Sequence, residues 1–272
     1  MNIIEYSRYD EPGPDKYAEI MGREYERENT EDSGYLVDHG RYLLEQIVIP
    51  TEKRPESVIV DKSLINEPDI IAVLERCGDI PIYVTDLQVT GIREDVFPWP
   101  NVYALFRKPE LKSPEELCRD ARRICVMERT VAPNDICISI RSAMALGMDA
   151  LLVAHDCGSL WTRRGVRAGR TSLFRDTWTK MPPVDDLIGY LHGLGFKTAY
   201  LSQDPDSMTL KASSLQPEER LAIIIGDGPD EQNPDTEAKS DYRFHIPANP
   251  GEAPVELTTA ATLAFYELGI VE

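Results

Sequence analysis

The sequence predicts an α/β protein in two parts, a smaller N-terminal α/β domain and a larger C-terminal domain built on a parallel sheet. Three observations carry this. From residue 35 onward, short apolar runs bounded by turn residues alternate with segments of helical spacing. The C-terminal runs, such as "ALLVAH" and "RLAIIIGD", are continuously apolar, as expected where helices cover both faces of a parallel sheet. Between the two series lies "KPELKSPEE", whose prolines and Ser-Pro helix start read as a linker.

Taken in order, residues 1–34 carry ten acids against Arg8, Lys16, Arg23 and Arg27. This is the composition of a solvated extension, partly helical around 15–28, rather than of core. In the domain expected over 35–108, a helical pattern follows Gly40, "ESVIVD" is a strand, "EPDIIAVLERC" an amphipathic helix closed by Gly78, and "IPIYVTD" and "VYALFRKP" further strands. The linker takes 109–116. The domain expected over 117–272 reads as strand "ICVME", helix 134–147, strand "ALLVAH", a helix starting near Trp161, helix 184–194, strands "KTAYLS", "RLAIIIGD" and "YRFHIP", and a terminal helix 254–268. Ligands of such sheets sit beyond the carboxyl ends of the strands, which directs attention to the loops after "LAIIIG" and "FHIP".

Composition narrows the function. At 272 residues with 42% hydrophobic content, each domain can bury a core without covalent staples. A net charge of −18 argues against general affinity for nucleic acid, so RNA binding would need a local basic patch. Cys77, Cys118, Cys125, Cys137 and Cys157 form no C-x-x-C pair, which suits reduced thiols in a cytosol, and "HDC" at His155–Cys157 lacks a second cluster with which to bind metal. No apolar run approaches the roughly 18 residues of a membrane span, and the N-terminus is not ordered like a signal peptide. The expectation is a cytoplasmic protein without metal or membrane.

The bend "IIIGDGPDE" is a weak dinucleotide signal, because Pro229 and "DEQNPD" supply no helix start for a phosphate. The acids Asp227, Asp230, Glu231, Asp235, Glu237 and Asp241 face only Lys239. They would repel an anion and accept an amine or sulfonium. By contrast "WTRRGVRAGRTSLFR" gathers Arg163, Arg164, Arg167, Arg170 and Arg175, opposed nearby only by Asp176, and is either a solvated helix face or an RNA footprint.

Three segments together resemble the motifs of the SpoU/TrmH group of SPOUT RNA 2′-O-ribose methyltransferases. "VAPNDICISIRSAMALGMDALLV" is similar to the first motif, usually D-P-x-N-x-G-x-I-x-R-x-A-x-A-F-G and a strand. "RLAIIIGDGPDE" is similar to the second, usually ending G-N-E-G-x-G. "HIPANPGEAPVELTTAATLAFYELG" is similar to the third, usually I-P-M, a short loop, S-L-N-V-S and an alanine-rich helix. More loosely, "YLVDHGRYLLEQ" resembles the opening of the small substrate-recognition domain such enzymes often carry.

The resemblance implies a C-terminal domain tied in a trefoil knot, a homodimer formed through its first and terminal helices, and S-adenosylmethionine held by the backbone at Gly226, Ile246 and Val255. It implies that Arg141 faces the target ribose of rRNA or tRNA, where a permanently charged guanidinium can fork onto phosphate. The arginines Arg163, Arg164, Arg167 and Arg170 then become RNA contacts. Several positions depart from the motifs: Asp135 for asparagine, Cys137 for glycine, Asp227-Gly228-Pro229 for Asn-Glu-Gly, and Pro254 and Glu256 for serine and asparagine. An acid at Glu256 or Asp135 either replaces the missing glutamate as proton acceptor or repels RNA phosphate. The competing expectation is a descendant that keeps the fold, binds RNA or protein, and has lost the chemistry.

Overall fold

The computed structural model describes residues 1–5, 15–17, 19–20, 34–86, 101–212, 215–226, 233–249 and 251–271, and every statement of absence below concerns these. The chain divides into two compact units, Met1–Pro109 with Trp161–Phe174, and Glu110–Leu160 with Arg175–Glu272. The helices are α1 (Arg41–Thr51), α2 (Pro68–Cys77), α3 (Pro114–Leu117), α4 (Pro133–Ala145), α5 (Arg163–Gly169), α6 (Leu187–Gly193), α7 (Pro234–Lys239) and α8 (Leu257–Leu268).

The first unit holds a five-stranded sheet of β1 (Asn2–Glu5), β2 (Tyr35–His39), β3 (Ser57–Asp61), β4 (Pro81–Thr85) and β5 (Val102–Arg107), in the order β1-β4-β3-β5-β2. Strands β1, β4 and β3 are parallel, while β5 runs antiparallel to β3 and β2. Helix α2 shows why the local pattern works: Pro68 opens it, Ile70, Val73, Leu74 and Cys77 form its buried stripe, and Gly78 ends it at φ 80°.

Two features depart from the sequence expectation. Residues 2–5 pair with β4, and Tyr17 and Ile20 are buried, so the acidic N-terminal stretch contributes to the unit's core. The Tyr17 hydroxyl donates to the Ser57 carbonyl at 2.7 Å and accepts from Leu105 N–H at 3.1 Å, bridging β3 and β5. A composition averaged over 34 residues hides two such anchors. Residues 161–174, expected inside the C-terminal domain, group instead with the first unit. The Thr162 side chain caps α5, and beyond it Leu173 and Phe174 are buried, with the Phe174 ring 5.3 Å from that of Phe106 and Thr171 donating to the Gln46 carbonyl. Those apolar anchors outweigh contiguity along the chain.

The second unit is a parallel sheet of seven strands, β6 (Arg123–Glu128), β7 (Ala150–Val153), β8 (Trp178–Lys180), β9 (Lys197–Leu201), β10 (Met208–Thr209), β11 (Leu221–Gly226) and β12 (Tyr242–His245), in the order β10-β12-β9-β11-β6-β7-β8. Central β6 and β11 are buried throughout, which accounts for their unbroken apolar runs. The short β8 and β10 lack enough residues to show a period, and the sequence reading passes over them. Helix α4 packs on α8, and the turn behind α4 is pressed against the end of α8: a Cβ on Gly147 would collide with the Ile270 carbonyl, and one on Gly269 with the Leu146 carbonyl. No helix is long and apolar enough to cross a membrane.

Candidate functional site

Segments that are remote in sequence meet at the carboxyl ends of β9, β11 and β12. They enclose a cleft of about 500 Å³ lined by Gly226, Ile246 and Val255, and also by Asp135, Glu252 and Glu256. The strands deliver the first two of these positions: Gly226 ends β11, and Ile246 follows β12 as the chain leaves the sheet. The third depends on a late helix start. The pattern predicts helix from 254, but Glu256 has extended backbone and serves as the N-cap, so α8 begins at Leu257. Val255 therefore stays in a loop, where its backbone is not committed to a helical ladder.

Gly226 is tightly placed. A Cβ there would lie 3.3 Å from the Tyr200 hydroxyl and 3.8 Å from Glu128 Cγ, so any side chain would press on the strand end. Asp135, in the first turn of α4, reaches the same cleft, and His245 lines it with Nδ1 3.1 Å from Ser207 Oγ. No lysine or arginine lines the cleft. Three carboxyl groups without a cationic side chain suit a ligand that carries positive charge of its own.

Arg141 is not brought into this cleft. It is exposed on the stripe of α4 that also shows Asn134, Ile138 and Ala145, whereas Ile136, Cys137, Ile140 and Ala143 face inward. On α8, Leu263 and Tyr266 are exposed, the latter at 75%. Arg164, Arg167 and Arg170 are exposed and belong to the first unit; the Arg163 side chain lies outside the described residues. Asp227, Gly228, Pro229, Asp230 and Glu231 also lie outside them. Of "HDC", His155 and Asp156 are exposed while Cys157 is buried, its thiol donating to the Met127 carbonyl at 3.3 Å, and burial raises that thiol to about 12. No group of three or more His, Cys, Asp or Glu side chains is arranged to hold a metal.

The sequence reading misses Glu128. It ends β6 directly across from Gly226 in the sheet register and is only 3% exposed. Oε2 accepts a hydrogen bond from Thr236 Oγ1 at 3.1 Å, while Oε1 is buried without a hydrogen-bond partner. Burial pushes the carboxyl up to about 7, against the opposing effect of the Thr236 and Tyr200 hydroxyls. An acid closing an otherwise apolar strand, "ICVME", is the signal that could have found it.

No family model matches the chain. Over 172 residues, 61% of the chain, it is 26% identical to an uncharacterized tRNA/rRNA methyltransferase of Mycobacterium bovis and equally to one of Mycobacterium tuberculosis, and the match spans 58% of the length of those relatives. In three dimensions it superimposes on the SpoU methyltransferase AviRb of Streptomyces viridochromogenes, solved with AdoMet, at a TM-score of 0.72 and 17% identity, covering 90% of this chain and 96% of that one. The AdoMet-bound rRNA methyltransferase of Sinorhizobium meliloti gives a TM-score of 0.76 at 12% identity, covering 98% and 97%.

Proposed function

We propose that this chain, whose fold is that of the SpoU methyltransferases, is an S-adenosylmethionine-dependent RNA methyltransferase acting on a ribose 2′-hydroxyl of rRNA or tRNA in the cytoplasm. The observation that carries the proposal is the meeting of Gly226, Ile246 and Val255 on one cleft, from segments separated in sequence. The cleft fits the cofactor in three respects. Its volume of about 500 Å³ lies within the range of small-molecule sites. Gly226 permits close backbone approach, and Asp135, Glu252 and Glu256 complement a sulfonium and an α-ammonium. Bound there, the cofactor would supply an electrophilic methyl group.

In this reading the protein contributes orientation and proton handling. Glu256, at the mouth of α8, accepts the 2′-hydroxyl proton as the oxygen attacks, with Asp135 as the nearby second acid. Arg141 serves the ribose and its phosphate from a homodimer: pairing through α4 and α8 would cover Ile138, Leu263 and Tyr266 and bring Arg141 to a site completed by the second copy. Arg164, Arg167 and Arg170, with Arg163, contact RNA phosphates. The trefoil knot belongs to the same proposal. The second reading, a decayed homologue that binds RNA or protein without turnover, is favoured by the acids at Asp135 and Glu256, which stand where the family motifs carry asparagine.

The test is transfer of tritiated methyl from the cofactor to total RNA, followed by nucleoside analysis for 2′-O-methyl products. Arg141→Ala is expected to abolish transfer while leaving cofactor affinity nearly unchanged, and Glu256→Asn to cost about 10²-fold or more, the scale of a general acid-base group. Wild-type protein that binds cofactor but never incorporates label would establish the second reading.

A further inference from the structure

The cleft at the carboxyl ends of β9, β11 and β12 is not uniform in its chemistry. Its carboxylates Asp135 and Glu256 belong to α4 and to the mouth of α8, two helices that pack on each other. On the side of β9 and β12 the walls are Leu201, Pro205, Ile246 and Pro247, while Ser202 spends its hydroxyl on Glu237 and Gln203 is exposed. The side chain with chemistry left to offer there is His245. It ends β12, across from Thr209 of β10, and its Nδ1 lies 3.1 Å from Ser207 Oγ. The Ser207 hydroxyl has one proton and donates it to the Asp204 carbonyl at 2.7 Å. Towards His245 it can therefore only accept, so Nδ1 carries the ring proton and the neutral ring presents Nε2 as an acceptor.

The turn that holds Ser207 is itself fixed. Asp204 N–H donates to Ser202 Oγ at 2.9 Å, Asp206 N–H to Asp204 Oδ1 at 2.9 Å, and Ser207 N–H to the Asp204 carbonyl at 3.1 Å. Among the described residues His245 makes no hydrogen bond besides the one to Ser207. An acceptor of set direction between apolar walls fits a flat base that offers an amino group. It rejects a base with a carbonyl oxygen at the same place, because two lone pairs would then face each other. We propose that His245 Nε2 accepts a hydrogen bond from the 6-amino group of the cofactor's adenine, and that Ser207, which does not itself line the cleft, sets this preference by holding the tautomer. The inference rests on the cofactor reading above and adds to it a side chain that reads the purine and a residue that positions it.

Calorimetric titration of the full chain with S-adenosylhomocysteine and its 6-oxo analogue S-inosylhomocysteine tests this at about pH 8, above the range in which imidazoles ordinarily protonate. Wild type is expected to prefer the adenosyl compound by about 10-fold or more, the effect of exchanging one N–H donor for an opposed acceptor. His245→Phe, which keeps a flat ring without nitrogen, should bring the two ligands within about 3-fold, chiefly by weakening the adenosyl compound. His245→Gln, whose amide oxygen can accept in place of Nε2, should restore part of the preference. Ser207→Ala should narrow it too, because the ring is then free to take either tautomer; a changed ratio is a readout that lost packing alone would not give. Should His245→Phe misfold, the Ser207→Ala arm decides. Equal wild-type affinity for the two ligands, or an adenosyl preference that persists in either folded variant, would mean that other groups read the base. Each overturns the proposal and leaves the cofactor reading standing. Wild-type protein that does not bind S-adenosylhomocysteine at all would overturn both.

Discussion

Strand β6 begins at Arg123 and ends at Glu128, and its two ends treat a buried charged group in opposite ways. At the amino end every guanidinium nitrogen finds an acceptor. Arg123, 1% exposed, donates from Nε to the Leu268 carbonyl, from Nη1 to Arg122 and Glu219, and from Nη2 to Gln216, while Asp149 accepts the backbone N–H groups of both Arg122 and Arg123. The same edge carries Arg220, donating to the Ala121 and Cys118 carbonyls over the Phe196 ring, and Asp241, which accepts from Lys197, His192 and Thr198. At the carboxyl end Glu128 keeps one oxygen unmet. Around Arg123, Arg220 and Asp241 the amino edge is held by mutual hydrogen bonds, although Thr177 Oγ1 before β8 is buried without a partner, and at the carboxyl edge Glu128 leaves one oxygen unmet beside the cleft. Parallel sheets place ligands at that second edge, and here the side-chain chemistry follows the topology.

Three stability measurements sharpen or break this contrast. The largest effect is expected from Arg123→Met, which removes four hydrogen bonds and strands buried carbonyls; urea unfolding should show a loss of about 3–5 kcal/mol. An effect below about 1 kcal/mol would mean that the amino edge is not the clamp its hydrogen bonds describe.

The second concerns Glu128→Gln. A carboxyl raised from 4.5 to about 7 on folding binds more protons in the native state between those values, so wild-type stability falls as pH rises through that window. The variant lacks this slope. At pH 8 it should therefore gain on wild type by roughly 3 kcal/mol at most, taking 1.36 kcal/mol per pH unit. Parallel pH–stability curves for the two proteins would show that Glu128 is comfortably ionised as it stands.

The smallest effect is expected at Asp241. Burial would raise its pKa, but hydrogen bonds from Lys197, His192 and Thr198 outweigh burial and hold it well below the usual carboxylate range. Its contribution is then present above the ordinary value of 3.8 and is lost as pH falls beneath it. Asp241→Asn should cost about 1 kcal/mol at pH 7, since Lys197 is half exposed and the pair is partly screened, and should flatten the acid limb of the stability curve. A variant with an unchanged acid limb would remove Asp241 from the closed edge.

The location of the cleft was legible because it lies at strand ends. The ends of "LAIIIG" and "FHIP" direct attention to the loops beyond them, while Gly226, Ile246 and Val255 are named from the resemblance to the family motifs; the cleft is lined by all three with Asp135 and Glu256. Arg141 shows the limit: a motif position is a place along a helix, and which neighbour it serves depends on what covers the exposed face of α4. Glu128 was overlooked because an acid at the end of a strand reads as an ordinary boundary residue. Only the packing of Thr236 and Tyr200 around it makes one oxygen satisfied and the other not.

By itself the sequence determined the α/β class, the parallel core and the loops at which a ligand would be sought, since these follow from local period and from apolar runs long enough to be buried on both faces. Tertiary structure alone decided that residues 2–5 complete a sheet with β4, that Tyr17 bridges β3 and β5, that 161–174 pack with the first unit, and that β5 runs antiparallel to its neighbours. The physical reason is the same in each case. Strand partners and buried anchors are chosen by non-local hydrogen bonds and apolar contacts, whose energies are absent from any window of the chain read by itself.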